Sequence, residues 1–267
     1  MENTFILSVA TFIYGFSALC FISGSVFSRK NIVQLGFFLL IAGLSANVAG
    51  FILRWIESYQ MGIGRIPLSN LYESLVFFAI SGAFVYAAAY KKFDNPVVGS
   101  ITTTLIFLAM AYAGLSPAAD SAITPLIPAL RSNWLTVHVI TCFFGYAGFA
   151  VSFAASILIL FTKDEKKWKN LDELNYRMII FGFLFLSLGI ITGAVWADSA
   201  WGRYWSWDPK ETWSLITWFV YAIVLHARYM KNFSRKTIAW LSIAGFIAVM
   251  FTYFGVNFVL SGLHSYA

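Results

Sequence analysis

The sequence predicts an all-α integral membrane protein, a polytopic bundle of about eight transmembrane helices with both termini outside. Three observations carry this. Sixty per cent of the 267 residues are hydrophobic and the mean hydropathy is +0.75, well above a soluble domain. The apolar residues come in unbroken runs of about twenty, long enough to cross a hydrocarbon core of about 30 Å at about 1.5 Å per residue. The runs are continuous rather than alternating, which selects helices over a barrel.

The spans fall at roughly 4–27, 32–53, 70–90, 97–115, 134–161, 178–197, 212–229 and 237–259. The first run is too long, and too weakly basic in front, for a cleaved signal peptide. The third opens with IPLSNLYES (66–74), where Asn70 can cap a helix and Glu73 stands three residues on. Between the fourth and fifth spans, residues 116–133 contain Pro117, Pro125 and Pro128, which oppose a long regular helix. Residues 163–177, KDEKKWKNLDELNYR, read as a solvated connector with room for a short surface helix. The seventh span opens on DPKE: Asp208 is a good N-cap, Pro209 suits the first helical position, and Glu211 completes a capping box. Residues 1–267 read as a single membrane domain with no clear internal repeat and an outer tryptophan-rich loop at about 198–213.

Charge sets the orientation. Arg29, Lys30, Lys91, Lys92, Lys163, Lys166, Lys167, Lys169, Arg177, Arg228, Lys231, Arg235 and Lys236 fall in one set of connectors. Arg54, Arg65, Arg131, Arg203 and Lys210 fall in the other. The excess places the first set inside. The net charge of +6 and pI near 9.3 are explained by topology, so they do not imply a nucleic-acid partner. The two cysteines, Cys20 and Cys142, lie in apolar runs without a CxxC or CxxCH. That excludes a redox dithiol protein and a c-type cytochrome.

Three histidines occur. His138 stands near the outer end of the fifth span and His264 follows the eighth, also outside. His226 lies near the inner end of the seventh, roughly 20 Å from the outer surface. An imidazole within a membrane is uncommon and is usually partnered or functional. Two imidazoles facing one another suit an axial metal pair, above all haem iron. Zinc fits less well, because no cysteine or suitably spaced carboxylate accompanies them.

Residues 201–213, WGRYWSWDPKETW, hold Trp201, Trp205, Trp207 and Trp213 among Arg203, Asp208, Lys210 and Glu211. An aromatic belt at the interface accounts for Trp55, Trp134, Trp168, Trp218 and Trp240. The crowded indoles at 201–207, flanked by Gly202, suit either that belt or a large flat ligand with a few anionic groups. A porphyrin fits the second reading: aromatic faces cover the macrocycle, and Arg203 or Lys210 could meet a propionate.

WGRYWSWDPKETW, with His138 upstream and GLHSY around His264 downstream, resembles the tryptophan-rich WWD haem-handling proteins. Within them it is most similar to the CcsA/ResC subunit of the system II cytochrome c synthase. IPLSNLYESLVFF (66–78) and GVNFVLSGLHSYA (255–267) resemble that subunit too. The resemblance implies that His138 and His264 ligate haem iron from opposite faces outside the membrane and are the catalytic pair. It implies that His226 is a membrane-embedded haem ligand whose second imidazole comes from a CcsB/ResB-type partner. Trp201, Gly202, Arg203, Trp205, Trp207, Asp208 and Lys210 would bind the porphyrin, haem b taken as substrate. The implied reaction joins haem to an apocytochrome c CxxCH. The implied setting is the bacterial cytoplasmic membrane, or the thylakoid for a plastid-encoded chain. A haem carrier without ligation activity, an assembly scaffold, and a secondary transporter unrelated to haem are the competing readings.

Overall fold

The computed structural model describes residues 2–230 and 233–260. His264 and Lys231 lie outside them. All regular secondary structure among the described residues is helical, with no strand. The chain forms two compact units, Met1–Ile127 and Pro128–Ala267. The sequence carries no break in composition at that point, since both units are built from the same kind of apolar helix.

The first unit contains α1 (Glu2–Val26), α2 (Lys30–Gln60), α3 (Leu71–Phe93) and α4 (Pro96–Leu115). α1 packs on α2 and α4, and α3 packs on α2 and α4. The expected cap is present: Asn70 accepts from the Glu73 amide at 2.8 Å. The Glu73 carboxylate is used differently from a simple capping box. It takes the Ser69 amide at 2.9 Å and the guanidinium groups of Arg54 and Arg65 at 2.9 and 2.6 Å. The three charged side chains are at most 5% exposed. The guanidiniums also donate to the carbonyls of Ser121, Ala122 and Thr124. The proline-containing connection 116–127 is thereby tied to the ends of α2 and α3, which gives IPLSNLYES a structural purpose.

The second unit contains α5 (Asn133–Phe161), α6 (Glu165–Trp201), α7 (Pro209–Tyr229), α8 (Arg235–Met250) and α9 (Val256–Val259), with a π-turn at Phe251–Gly255 joining the last two. α5 packs against α6 and α8, and α7 packs against α6 and α8. A buried polar network holds three of them together: Ser152 donates to Asn175 Oδ1 at 2.9 Å and meets Ser242 at 2.9 Å, while Asn175 donates to Ser156 at 2.7 Å. Within lipid such bonds are among the forces that can join helices, since burial of apolar surface no longer can.

Among the described residues, seven helical segments are long and apolar enough to cross a membrane, the last running Arg235–Val259. α7 is not among them. Its 21 residues carry Lys210 and Glu211 at one end and His226 and Arg228 at the other, which lowers its mean hydropathy. The 163–177 connector also differs from expectation. α6 begins at Glu165 and runs unbroken for 37 residues, about 55 Å. Its lysines disguise a stripe in which Leu171, Leu174 and Asn175 are buried. Two forked ion pairs hold this extension, Arg228 on Asp172 and Arg235 on Glu165. The guanidiniums of Arg228 and Arg235 also lie over Tyr176 and Trp168.

Candidate functional site: an imidazole and a row of indoles

His138 sits in the second turn of α5, which Ser132 caps by accepting from the Trp134 amide. Its Nδ1 lies 2.8 Å from the Gly189 carbonyl of α6. A carbonyl can only accept, so Nδ1 carries the proton and Nε2 carries the lone pair. This is the arrangement in which a neighbouring carbonyl fixes the tautomer of a metal-ligating imidazole. Gly193 stands so close that a Cβ there would come within 2.7 Å of Nδ1. α6 therefore meets the imidazole through backbone.

The second tie between His138 and the tryptophan loop is Trp196, which the sequence reading had left inside the sixth span. The Trp196 ring is 1% exposed. It stacks with the His138 ring at 5.8 Å and 19°, and it meets Trp201 edge on at 4.9 Å and 60°. Imidazole, Trp196 and Trp201 thus form one row of rings. The signal for Trp196 was available: it lies five residues before Trp201, on the same helix.

α6 ends at Gly202, whose φ of +72° closes the helix through its amide bonding the Asp198 carbonyl at 2.8 Å. A side chain at that φ is disfavoured. Gly202→Ala should cost about 1 kcal/mol, seen as a lower detergent-melting temperature. An unchanged melting temperature would show that the loop tolerates the strain.

The loop is then held from α7. Asp208 accepts from the Lys210 amide at 2.9 Å, and Glu211 accepts from the Ser206 and Asp208 amides at 2.7 and 3.2 Å. The expected capping box is present. It serves the loop as well as the helix, because Ser206 is outside α7. Trp205 and Trp207 meet edge to face at 5.7 Å. Trp207 has φ +59° and a ring 70% exposed. A bulky residue in that region is strained, so the loop presents an indole at a conformational cost. Trp205 buries Nε1 without a hydrogen-bond partner among the described residues, which ordinarily costs about 1–3 kcal/mol. Tyr204 and Arg203 are exposed beside them.

Lys210, expected to meet an anionic ligand, has a partner within the protein. Its Nζ donates to Asn257 Oδ1 of α9 at 2.6 Å. Lys210 precedes the apolar stretch 212–229, and burial of its ammonium pushes its pKa down to about 7, with the Asp208 carboxylate acting in the opposite sense. His226 is elsewhere. It is exposed on α7, sixteen residues beyond Lys210, a rise of roughly 24 Å, and its ring makes no hydrogen bond among the described residues. The described structure therefore joins His138 to Trp201 through Trp196, joins Trp205 to Trp207, and leaves His226 apart. His264 is outside the described residues.

Helical membrane architecture and an imidazole with a fixed tautomer beside a strained indole loop define the class, a polytopic membrane protein with an aromatic, imidazole-bearing site at one end. Residues 68–264 match the family described as Cytochrome C assembly protein. The chain is 43% identical over 228 residues to the cytochrome c biogenesis protein CcsA of Chlamydomonas reinhardtii, covering 80% of this chain and 63% of that one. It is 36% identical to CcsA of Synechococcus sp. (strain RCC307), covering 90% and 86%, and 38% identical to CcsA of Guillardia theta, covering 91% and 89%. The solved structure of the cytochrome c heme lyase CcmF shares the fold, with a TM-score of 0.75 at 16% identity; the match covers 94% of this chain and 46% of that one. The chain spans less than two thirds of the Chlamydomonas relative and less than half of CcmF. The chain belongs to the cytochrome c assembly protein family. Within it, this is a CcsA-type cytochrome c biogenesis protein.

Proposed function

We propose that the protein binds haem b as substrate at its outer face and, with a CcsB/ResB-type membrane partner, directs its covalent attachment to apocytochrome c. The observation that carries this is the fixed tautomer of His138. A lone pair on Nε2, held by the Gly189 carbonyl and backed by Trp196, is what an axial ligand to haem iron requires. The loop fits the macrocycle for separate reasons. Trp207 is exposed at strained φ, the Trp205 indole N–H has no partner among the described residues, and Arg203 is free of the helix and exposed for a propionate.

In this reading His138 binds the iron on one side and His264 on the other. Trp201, Gly202, Trp205 and Trp207 set the plane of the ring. Asp208 holds the loop rather than touching the ligand. Each CxxCH thiol adds across one vinyl group: sulfur bonds one vinyl carbon, the thiol hydrogen goes to the other, and no electrons are gained or lost overall. The chain's contribution is to orient the vinyl edge toward the peptide, which replaces a slow encounter by an intramolecular-like one. His226, on the exposed surface of α7, would be a second haem ligand completed by the partner's imidazole. The membrane would be the bacterial cytoplasmic membrane, or the thylakoid membrane for a plastid-encoded chain.

The test is purification of the complex with its partner, haem loading, and addition of a CxxCH apocytochrome. A bis-imidazole haem spectrum followed by a thioether-linked product supports the proposal. Haem uptake and transfer without thioether reduces the protein to a carrier. A preparation that stays colourless after loading overturns the haem reading altogether.

A further inference from the structure

The Lys210–Asn257 bond joins the tryptophan loop to the rest of the unit. Lys210 lies in the first turn of α7, behind the capping box that ends the loop. Its Nζ donates to Asn257 Oδ1 at 2.6 Å, and Asn257 is 7% exposed. One side chain thus connects the start of α7 to the short α9.

The π-turn prepares the acceptor. An extra residue in one turn advances everything after it by about 100° around the helix axis. Asn257 lies two residues past the π-turn Phe251–Gly255. The π-turn itself is fixed to α7: Thr252 Oγ1 donates to the Trp213 carbonyl at 3.2 Å and meets Thr217 Oγ1 at 3.0 Å. Trp213 and Phe251 pack at 4.2 Å. An ammonium withdrawn from water is costly, so its presence calls for a positional explanation.

We propose that the Lys210–Asn257 hydrogen bond is the positioning clasp of the haem-handling loop, holding the first turn of α7, and through it residues 202–208, in register with His138. The proposal rests on the function proposed above. In it Lys210 is a positioning residue that does not touch the porphyrin, and Arg203 is the cation left for the ligand.

The test compares Lys210→Met, Asn257→Leu and Lys210→Arg in the full chain with its partner. Amide hydrogen exchange is read over 202–213 and 251–259 without haem, and the visible spectrum after haem loading. The Met and Leu variants should exchange about tenfold faster at the Ser206, Asp208 and Lys210 amides and should shift the haem spectrum. Lys210→Arg should keep both near wild type. Faster exchange confined to 251–259 marks a local structural bond and overturns the clasp, as does an Arg variant that behaves like Met. Should Lys210→Met fail to fold, Asn257→Leu against Lys210→Arg decides the same question. If wild type takes up haem while the variants match it in both readouts, the clasp falls and the function stands. If wild type takes up none, the function falls, and the exchange data still decide whether the clasp holds the loop.

Discussion

Glu73→Ala destabilises the first unit by about 3–5 kcal/mol, the range for breaking a buried ion pair from one side. The carboxylate is 1% exposed and faces two guanidiniums, Arg54 and Arg65. Its removal leaves two like charges in a site from which water is excluded. It also frees the Ser69 amide and loosens the hold on residues 116–127. Glu73→Gln keeps the shape and loses the charge, so its effect should be smaller. Arg65→Met should cost less again, because one guanidinium and one carboxylate remain, and because Arg65 Nη2 lacks a partner among the described residues. Unfolding midpoints in mixed detergent micelles measure the series. Equal midpoints for Glu73→Ala and wild type would show that the cluster contributes no net stability.

Loss of His138 has the largest expected functional effect. His138→Ala should remove one axial ligand, lower haem retention severely and bring holocytochrome formation below detection. Added imidazole should restore part of both, because the cavity left by the ring admits a free ligand of the same chemistry. Gly193→Ala is the subtler companion. Its methyl group would crowd Nδ1 and disturb the bond to the Gly189 carbonyl while leaving the imidazole present. A loss of haem affinity of about 10–100-fold is expected, the usual cost of disturbing a partner behind a metal ligand. Both variants are read by haem titration and by thioether product formation. If His138→Ala matures cytochrome c normally without imidazole, the coordination scheme is wrong.

Much of the architecture was legible because lipid imposes simple rules. Continuous apolar runs located the helices, and the DPKE and SNLYE signatures located the starts of α7 and α3. The misread parts are those where charge does something other than face water. The lysines around Trp168 gave 163–177 the look of a connector, while it is the first part of α6, exposed at its start and buried along Leu171 and Leu174. Arg54, Arg65 and Glu73 were counted as loop charges and a cap. Their meeting depends on a chain reversal between α2 and α3 that no periodicity reveals. The Lys210–Asn257 bond was not legible, because the two residues are 47 apart and their meeting depends on the phase change at the π-turn. Trp196 was hidden by its burial within a span.

α6 has a mechanical consequence. It carries no proline and no π-turn from Glu165 to Trp201, so it acts as one stiff shaft. One tip is gripped by arginines from α7 and α8; near the other sits the carbonyl that sets the His138 proton. Twist or travel imposed at the basic tip reaches that carbonyl, Trp196 and the Gly202 cap together, since rigid elements pass displacement along their length. Events on one side of the membrane can therefore be felt at the imidazole on the other without a separate messenger.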